Sequence, residues 1–228
     1  MTVNAHPPKL SAELIERYKA LPPATIGHII NEGFVDTAIR PVYRRLSAVG
    51  TAVTVKLPGG DLSLTRAAID QLQPGDVLVI DFGGQTQMAC WGEMTSLAAK
   101  MKGCVGVIVD GAVTDVVEIE DQKMPTFARA ASALVGRRLD SGAGGLNVSI
   151  SCGGVAVHAG DLIVADDNGI VVIPPKEAED VAARARAAED RAPFQRIWLE
   201  RGGSLADLSG KEADDIRRLL EERGGLNR

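Results

Sequence analysis

Apolar positions along the chain follow two periods, and their order predicts the architecture. VGTAVTVKL (49–57) alternates, as a half-buried strand does. VLVID (77–81) and Val105–Val109 are unbroken apolar runs of strand length, the pattern of central strands. Further strands are predicted at TFARA (126–130), on both sides of Gly153-Gly154 in VSISCGGVAVH, and at LIVAD (162–166) and IVVIP (170–174). Asp166-Asp167-Asn168-Gly169 between the last two is a hairpin turn signal, which accounts for its acids better than a metal site does. Helical spacing appears first in SAELIERYKAL, capped by Ser11 and stopped by Pro22-Pro23. It returns in a short helix over 24–31 and in LSLTRAAIDQL, for which Asp61 is the predicted N-cap.

Residues 1–9 read as a loose arm because Pro7 and Pro8 interrupt pairing, and Asp81 to Gly84 as a flexible loop. Residues 131–146 read as an irregular surface loop. From Pro175 the pattern becomes an Ala/Arg/Glu helix, with further helical pieces at Arg196–Gly203 and Lys211–Arg223. Its apolar face is weak, which fits either packing on a partner subunit or a solvated tail. Short strands interspersed with helices, without a repeat or linker, predict an α/β sandwich of one domain over 1–175, with a helical C-terminal extension over 176–228.

Within this frame the stretch from Trp91 to Glu118 is the candidate site. Gly92-Glu93 opens a helix whose first N–H groups are free to hold an anion. Asp115 and Glu118 start the next helix, just past the end of an apolar strand, where α/β proteins place ligands. The same Asp115-x-x-Glu118 also has the shape of a capping box, and Thr114 is a competent N-cap. Trp91 is expected to anchor the turn by packing, and His28 to pack or cap.

Composition narrows the function. A net charge of −5 argues against a nucleic-acid surface. Three scattered cysteines, Cys90, Cys104 and Cys152, form no CxxC pair and fit buried thiols of a reducing compartment, and three histidines are too few for a zinc cluster. No apolar run reaches membrane-spanning length and the N-terminus has no signal-peptide pattern, so a cytoplasmic protein is expected.

Four motifs in order, GDVLVID (75–81), WGE (91–93), GVIVDGAVTD (106–115) and GGVAVHAGDLIVADDNGIVVIP (153–174), resemble the family of the regulators of ribonuclease activity A and the metal-dependent 4-hydroxy-4-methyl-2-oxoglutarate/4-carboxy-4-hydroxy-2-oxoadipate aldolases. The resemblance implies a β/β/α sandwich of the swivelling-domain type, assembled as a homotrimer or homohexamer with sites between subunits. It implies a small oxo- or hydroxy-acid substrate and a Mg²⁺ or Mn²⁺ cofactor. Asp115 corresponds to the family's metal-binding aspartate. Glu118 corresponds to the second acid of its Asp-x-x-Glu/Asp pattern, which holds a metal-bound water. Gly92, Glu93, Met94 and Thr95 correspond to the turn whose N–H groups receive the pyruvate carboxylate. The family's acid from a neighbouring subunit lies in the C-terminal helix, where Glu189 is the nearest candidate.

One position departs. The aldolases carry arginine directly before the metal aspartate, where this chain has Thr114. That arginine pairs with the substrate and steadies the enolate oxygen, a contact worth several kcal/mol in the transition state. Arg66 is a remote candidate for the missing charge. Two functions therefore compete: a divalent-metal-dependent lyase, aldolase or oxo-acid decarboxylase, with altered substrate, and a non-catalytic regulator. A phosphohistidine carrier would need His158 in an exposed loop rather than between strands, and no nucleotide-binding glycine loop supports a methyltransferase.

Overall fold

The unbroken apolar runs form the middle of a sheet whose two faces are both covered. The computed structural model describes residues 1–222. The strands are β1 (Thr2–Val3), β2 (Arg40–Pro41), β3 (Ser47–Lys56), β4 (Asp76–Trp91), β5 (Gly106–Val113), β6 (Thr126–Ala131) and β7 (Gly145–Leu146). After them come β8 (Ile150–Cys152), β9 (Val155–Val157), β10 (Leu162–Asp166) and β11 (Gly169–Ile173). The helices are α1 (Ala12–Lys19), α2 (Pro23–Ile26), α3 (Thr65–Gln71), α4 (Glu93–Met101), α5 (Val116–Asp121), α6 (Pro175–Glu200) and α7 (Ala213–Glu222).

Strands β3, β4, β5 and β6 are parallel and adjacent in sequence order. Their connections carry α3, α4 and α5 on one face, as right-handed crossovers require. All eight residues of β5 are buried. Val107, Val109 and Val113 point to the helical layer with Leu64, Ile69, Ala99 and Ile119. Ile108 points the other way, to Val79, Phe127 and the β8–β9 hairpin residues Ile150, Cys152 and Val157. The antiparallel β10–β11 pair joins the sheet on the other side of β3, and α1, α2 and α6 cover it. A mixed α/β sandwich of strand, strand and helix layers results, as the motifs implied.

Several local expectations change. β3 is buried on both faces rather than half-buried, because helices cover one side and the hairpin the other. The N-terminal arm is not loose: β1 pairs in parallel with β7, and the Asn147 side-chain amide donates to the Asn4 and Ala5 carbonyls. His6 Nε2 lies 2.7 Å from the buried Asp76 carboxylate. Asp81 to Gly84 is no free loop; β4 runs on through it to Trp91 with three register shifts against β5. The helix expected from Asp61 begins only at Thr65, and the one expected over 24–31 closes at Ile26, leaving His28 exposed.

The C-terminal region is also more ordered than its composition implied. α6 absorbs the segment after Arg196 and spans 26 residues. Ala178, Val181, Ala182 and Ala185, at helical spacing, bury against α1, α2, β10 and β11 of the same chain. The Tyr18 hydroxyl donates to the Ala178 carbonyl at 2.7 Å, and burial raises its pKa. Beyond it α7 folds back, so that Ile216 and Leu220 enclose Trp198 and Leu208 in a small separate core. Arg223, the end of the predicted last helix, lies outside the described residues.

Candidate functional site

At the carboxyl ends of β4 and β5 two chain segments meet. β4 delivers Trp91 and turns at Gly92 into α4; β5 delivers Val113 and turns at Thr114-Asp115 into α5. The Thr114 N–H donates to the Trp91 carbonyl at 2.8 Å, which ties the two turns. The Trp91 indole is buried and its Nε1–H donates to Ser96 Oγ at 2.7 Å, so it anchors α4 from beneath, as expected.

Asp115 has a left-handed backbone, φ +55° and ψ +45°, uncommon for a residue with a Cβ. It occupies the N-cap position of α5 but makes no side-chain cap bond there. Its side chain crosses to the other helix, where Oδ2 accepts the Glu93 N–H at 3.0 Å and Oδ1 accepts the Thr114 hydroxyl at 3.0 Å. The capping-box reading of Asp115-x-x-Glu118, with Thr114 as N-cap, is thereby corrected: the left-handed turn aims the carboxylate away from its own helix. Gly92 makes the approach feasible, since a Cβ there would overlap Asp115 Oδ2 and stand 2.7 Å from Thr114 Cγ2. Thr95 Oγ1 closes the turn, accepting the Gly92 N–H at 3.0 Å and donating to the Gly92 carbonyl at 2.9 Å. The first-turn N–H groups of Met94 and Thr95 have no carbonyl to bond within the helix.

The structure thus brings Gly92, Glu93, Thr114 and Asp115 together, with Met94 and Thr95 in the same turn. Glu118 is exposed on the first turn of α5. Glu189 is bonded to Thr25 of its own chain, and Arg66 is exposed on α3 without a bond to any residue of the site. No group of three His, Cys, Asp or Glu side chains able to hold a metal occurs among the described residues. A cation fully caged by protein does not fit this donor set, nor does a zinc site. A hard divalent ion that keeps most of its waters and takes one or two carboxylates fits the exposed Asp115, whose two oxygens each retain a lone pair.

Two buried acids have roles that sequence reasoning missed. Asp61 is not a helix cap but a hub: Oδ1 accepts from the Ser63 and Leu139 N–H groups and Oδ2 from the Ser141 N–H and hydroxyl. Led by the Ser141 and Ser63 hydroxyls, these donors hold its carboxyl far below the usual range and fix the 137–141 segment beside Gly60. Asp110 accepts the Gly153 N–H at 2.7 Å and the Arg129 Nε–H; Arg129 Nη1 also reaches Asp36 Oδ2 at 2.9 Å. The available signal was a charge inside an apolar run, Asp110 in VGVIVDGAV and Arg129 in TFARA.

Comparison with known proteins bears on the family and the fold. A family model described as RraA-like, Aldolase/RraA, matches residues 24–172. A protein of Halalkalibacterium halodurans with the provisional name 4-hydroxy-4-methyl-2-oxoglutarate aldolase is 33% identical over 202 residues, 83% of this chain and 95% of that one. The crystal structure of Streptomyces coelicolor RraAS2, titled an unusual member of the RNase ES inhibitor RraA protein family, superposes with a TM-score of 0.75 at 26% identity, covering 83% of this chain and 98% of that one. The RNA-processing inhibitor RraA from Thermus thermophilis gives a TM-score of 0.60 at 27% identity, covering 66% and 91%. No described helix is long and apolar enough to cross a membrane. The family match spans well over half the sequence, and on that basis the chain belongs to the RraA-like family.

Proposed function

We propose that the protein is a divalent-metal-dependent carbon–carbon lyase, an aldolase or oxo-acid decarboxylase, acting on a small oxo- or hydroxy-acid through a pyruvate-type enolate. The observation that carries this reading is the Asp115 carboxylate held 3.0 Å from the Glu93 N–H at the start of α4. A metal ligand and an anion-binding turn then share one small surface. In this reading Asp115 ligates Mg²⁺ or Mn²⁺, and Glu118 orients water beside it. The N–H groups of Met94 and Thr95 receive the substrate carboxylate. A hard cation bound there supplies Lewis-acid stabilisation of the charge that develops as the bond breaks. The Thr114 hydroxyl fixes the carboxylate it donates to, and Gly92 leaves the room that substrate and Asp115 need.

The surroundings support a site completed by another subunit, as in a homotrimer or homohexamer. Met94, Leu97 and Met101 recur on one face of α4 and are 68%, 39% and 79% exposed, and Val117 on α5 is 61% exposed. Such an apolar patch beside polar groups is a feature of interaction surfaces. In this arrangement the C-terminal extension beyond residue 175 lies near subunit contacts.

The test is pyruvate release from oxaloacetate and from 4-hydroxy-4-methyl-2-oxoglutarate, followed by a coupled assay. Activity should require Mg²⁺ or Mn²⁺, vanish with EDTA, and fall by at least about 10²-fold in Asp115→Ala. Turnover that survives both treatments would overturn the reading. Thr114 favours one alternative, a non-catalytic regulator: among the described residues the side chain that bonds Asp115 is a neutral hydroxyl and not a cation. That alternative predicts no metal-dependent turnover, together with a stable protein partner.

A further inference from the structure

A second concave surface lies apart from Asp115 and shares no residue with its site. It is a cleft of about 560 Å³, bounded by the 29–33 turn, the β9–β10 turn, the end of β11 and the first turn of α6. This volume is within the range of small-molecule sites, roughly 300–1,000 Å³. Ile29, Ile30, Val172 and Pro174 supply an apolar wall. Gly33 fixes its shape: φ is +84°, and a Cβ there would overlap the Val172 carbonyl oxygen.

The polar lining has one sign. Glu32, Asp161 and Glu177 face the cleft with His158, and among the described residues no lysine or arginine lines it. Glu177 is in the first turn of α6. Asp161 is the informative member. Its side chain is only 6% exposed, and Oδ2 accepts the His158 N–H at 2.8 Å with His158 Nδ1 3.5 Å away. Oδ1 has no partner among the described residues, although Asp161 lines the cleft. Burial outweighs the His158 contacts and raises the Asp161 pKa. Clefts walled by apolar groups and lined by one sign of charge concentrate counter-ions. The three acids do not converge closely enough to form a metal site. A metal ion is therefore a poor match, whereas an extended organic cation can span them.

We propose that this cleft binds an aliphatic amine of the di- or polyamine class, with one ammonium group on Asp161 Oδ1, the other toward Glu32 and Glu177, and the methylenes against Ile29, Ile30 and Pro174. Titration calorimetry of the full-length chain with 1,4-diaminobutane at low salt tests this. One saturable site is expected, with no binding of the neutral 1,4-butanediol. Asp161→Asn keeps a carbonyl oxygen for the His158 N–H and should weaken binding at least tenfold, while Asp115→Ala should leave it unchanged. Absence of saturable binding at millimolar amine, equal binding of the diol, or wild-type affinity in folded Asp161→Asn would overturn the proposal. Should Asp161→Asn lose its circular dichroism signal, Glu32→Gln/Glu177→Gln, altered only at exposed carboxylates, decides: weakened binding supports the site and unchanged binding refutes it.

Discussion

Replacing Gly92 by alanine isolates the contact on which the candidate site depends. The backbone there is extended, with φ −164°, so alanine meets no conformational penalty of its own. The cost is steric, because the new methyl overlaps Asp115 Oδ2 and stands 2.7 Å from Thr114 Cγ2. Overpacking of this kind costs about 1–3 kcal/mol. Displacing the carboxylate also breaks the Glu93 N–H bond, worth about 1 kcal/mol at an exposed position. The sum is about 2–4 kcal/mol. At about 2–4 °C per kcal/mol for a chain of this size, Tm should fall by about 4–16 °C. The decisive measurement is a double-mutant cycle by thermal unfolding, since removing the Asp115 side chain removes the more severe overlap. Gly92→Ala should cost at least about 1 kcal/mol less in an Asp115→Ala background than in the wild type. Equal Tm losses in both backgrounds, or a loss under about 1 °C in the first, would show that Gly92 and Asp115 are not in contact as described.

Three further outcomes follow from the same structure. Thr114→Arg restores a cation beside Asp115 and should raise pyruvate release from a tertiary-alcohol keto acid by about 10²–10³-fold, measured as kcat/KM; no gain would remove Thr114 as the cause of altered chemistry. The Asp61 carboxyl is held far below its unfolded value of about 3.9, so its contribution to stability is present above that pH and is lost as pH falls below it. Asp61→Asn should therefore lower Tm at pH 7 and flatten the Tm profile between pH 4 and 2, and a profile parallel to wild type would refute the hub. Burial raises the thiol pKa of Cys104 to about 11 and those of Cys90 and Cys152 further, so all three should resist a disulfide reagent at pH 8 until the chain unfolds. Rapid reaction of the native protein would contradict their burial.

Strand positions were legible because apolar runs of five residues with flanking Gly and Pro have few other uses, and VLVID and Val105–Val109 became the opening parts of β4 and β5. What escaped depends on contacts distant in sequence. Periodicity could not place Asn4 against Asn147, or Asp61 against Ser141, because pairs about 80 or 140 residues apart leave no local signature. The Asp81–Gly84 segment has loop composition, yet its backbone is recruited into β4 by the apolar strand on either side. At the site, the residue types were legible and the direction of Asp115 was not. A Thr-Asp-x-x-Glu start predicts a cap on α5, and only the left-handed backbone at Asp115 sends the carboxylate to α4.

That redirection distinguishes a helix cap from a ligand site. Capping α5 needs nothing unusual, since Thr114 or Asp115 with an extended backbone would serve, at a gain of about 1 kcal/mol. The chain instead holds Asp115 in a left-handed conformation costing of order 1–3 kcal/mol. It also keeps a glycine where any side chain would collide, and leaves the α5 N-cap bond unmade. These three concessions converge on one result, an exposed carboxylate fixed from two sides at the start of another helix. Local stability does not require that arrangement; the proposed coordination of a hydrated cation would use it. The combination of Gly92 with a left-handed Asp115 therefore weighs more for the metal-site reading than either acidic residue of the motif does alone.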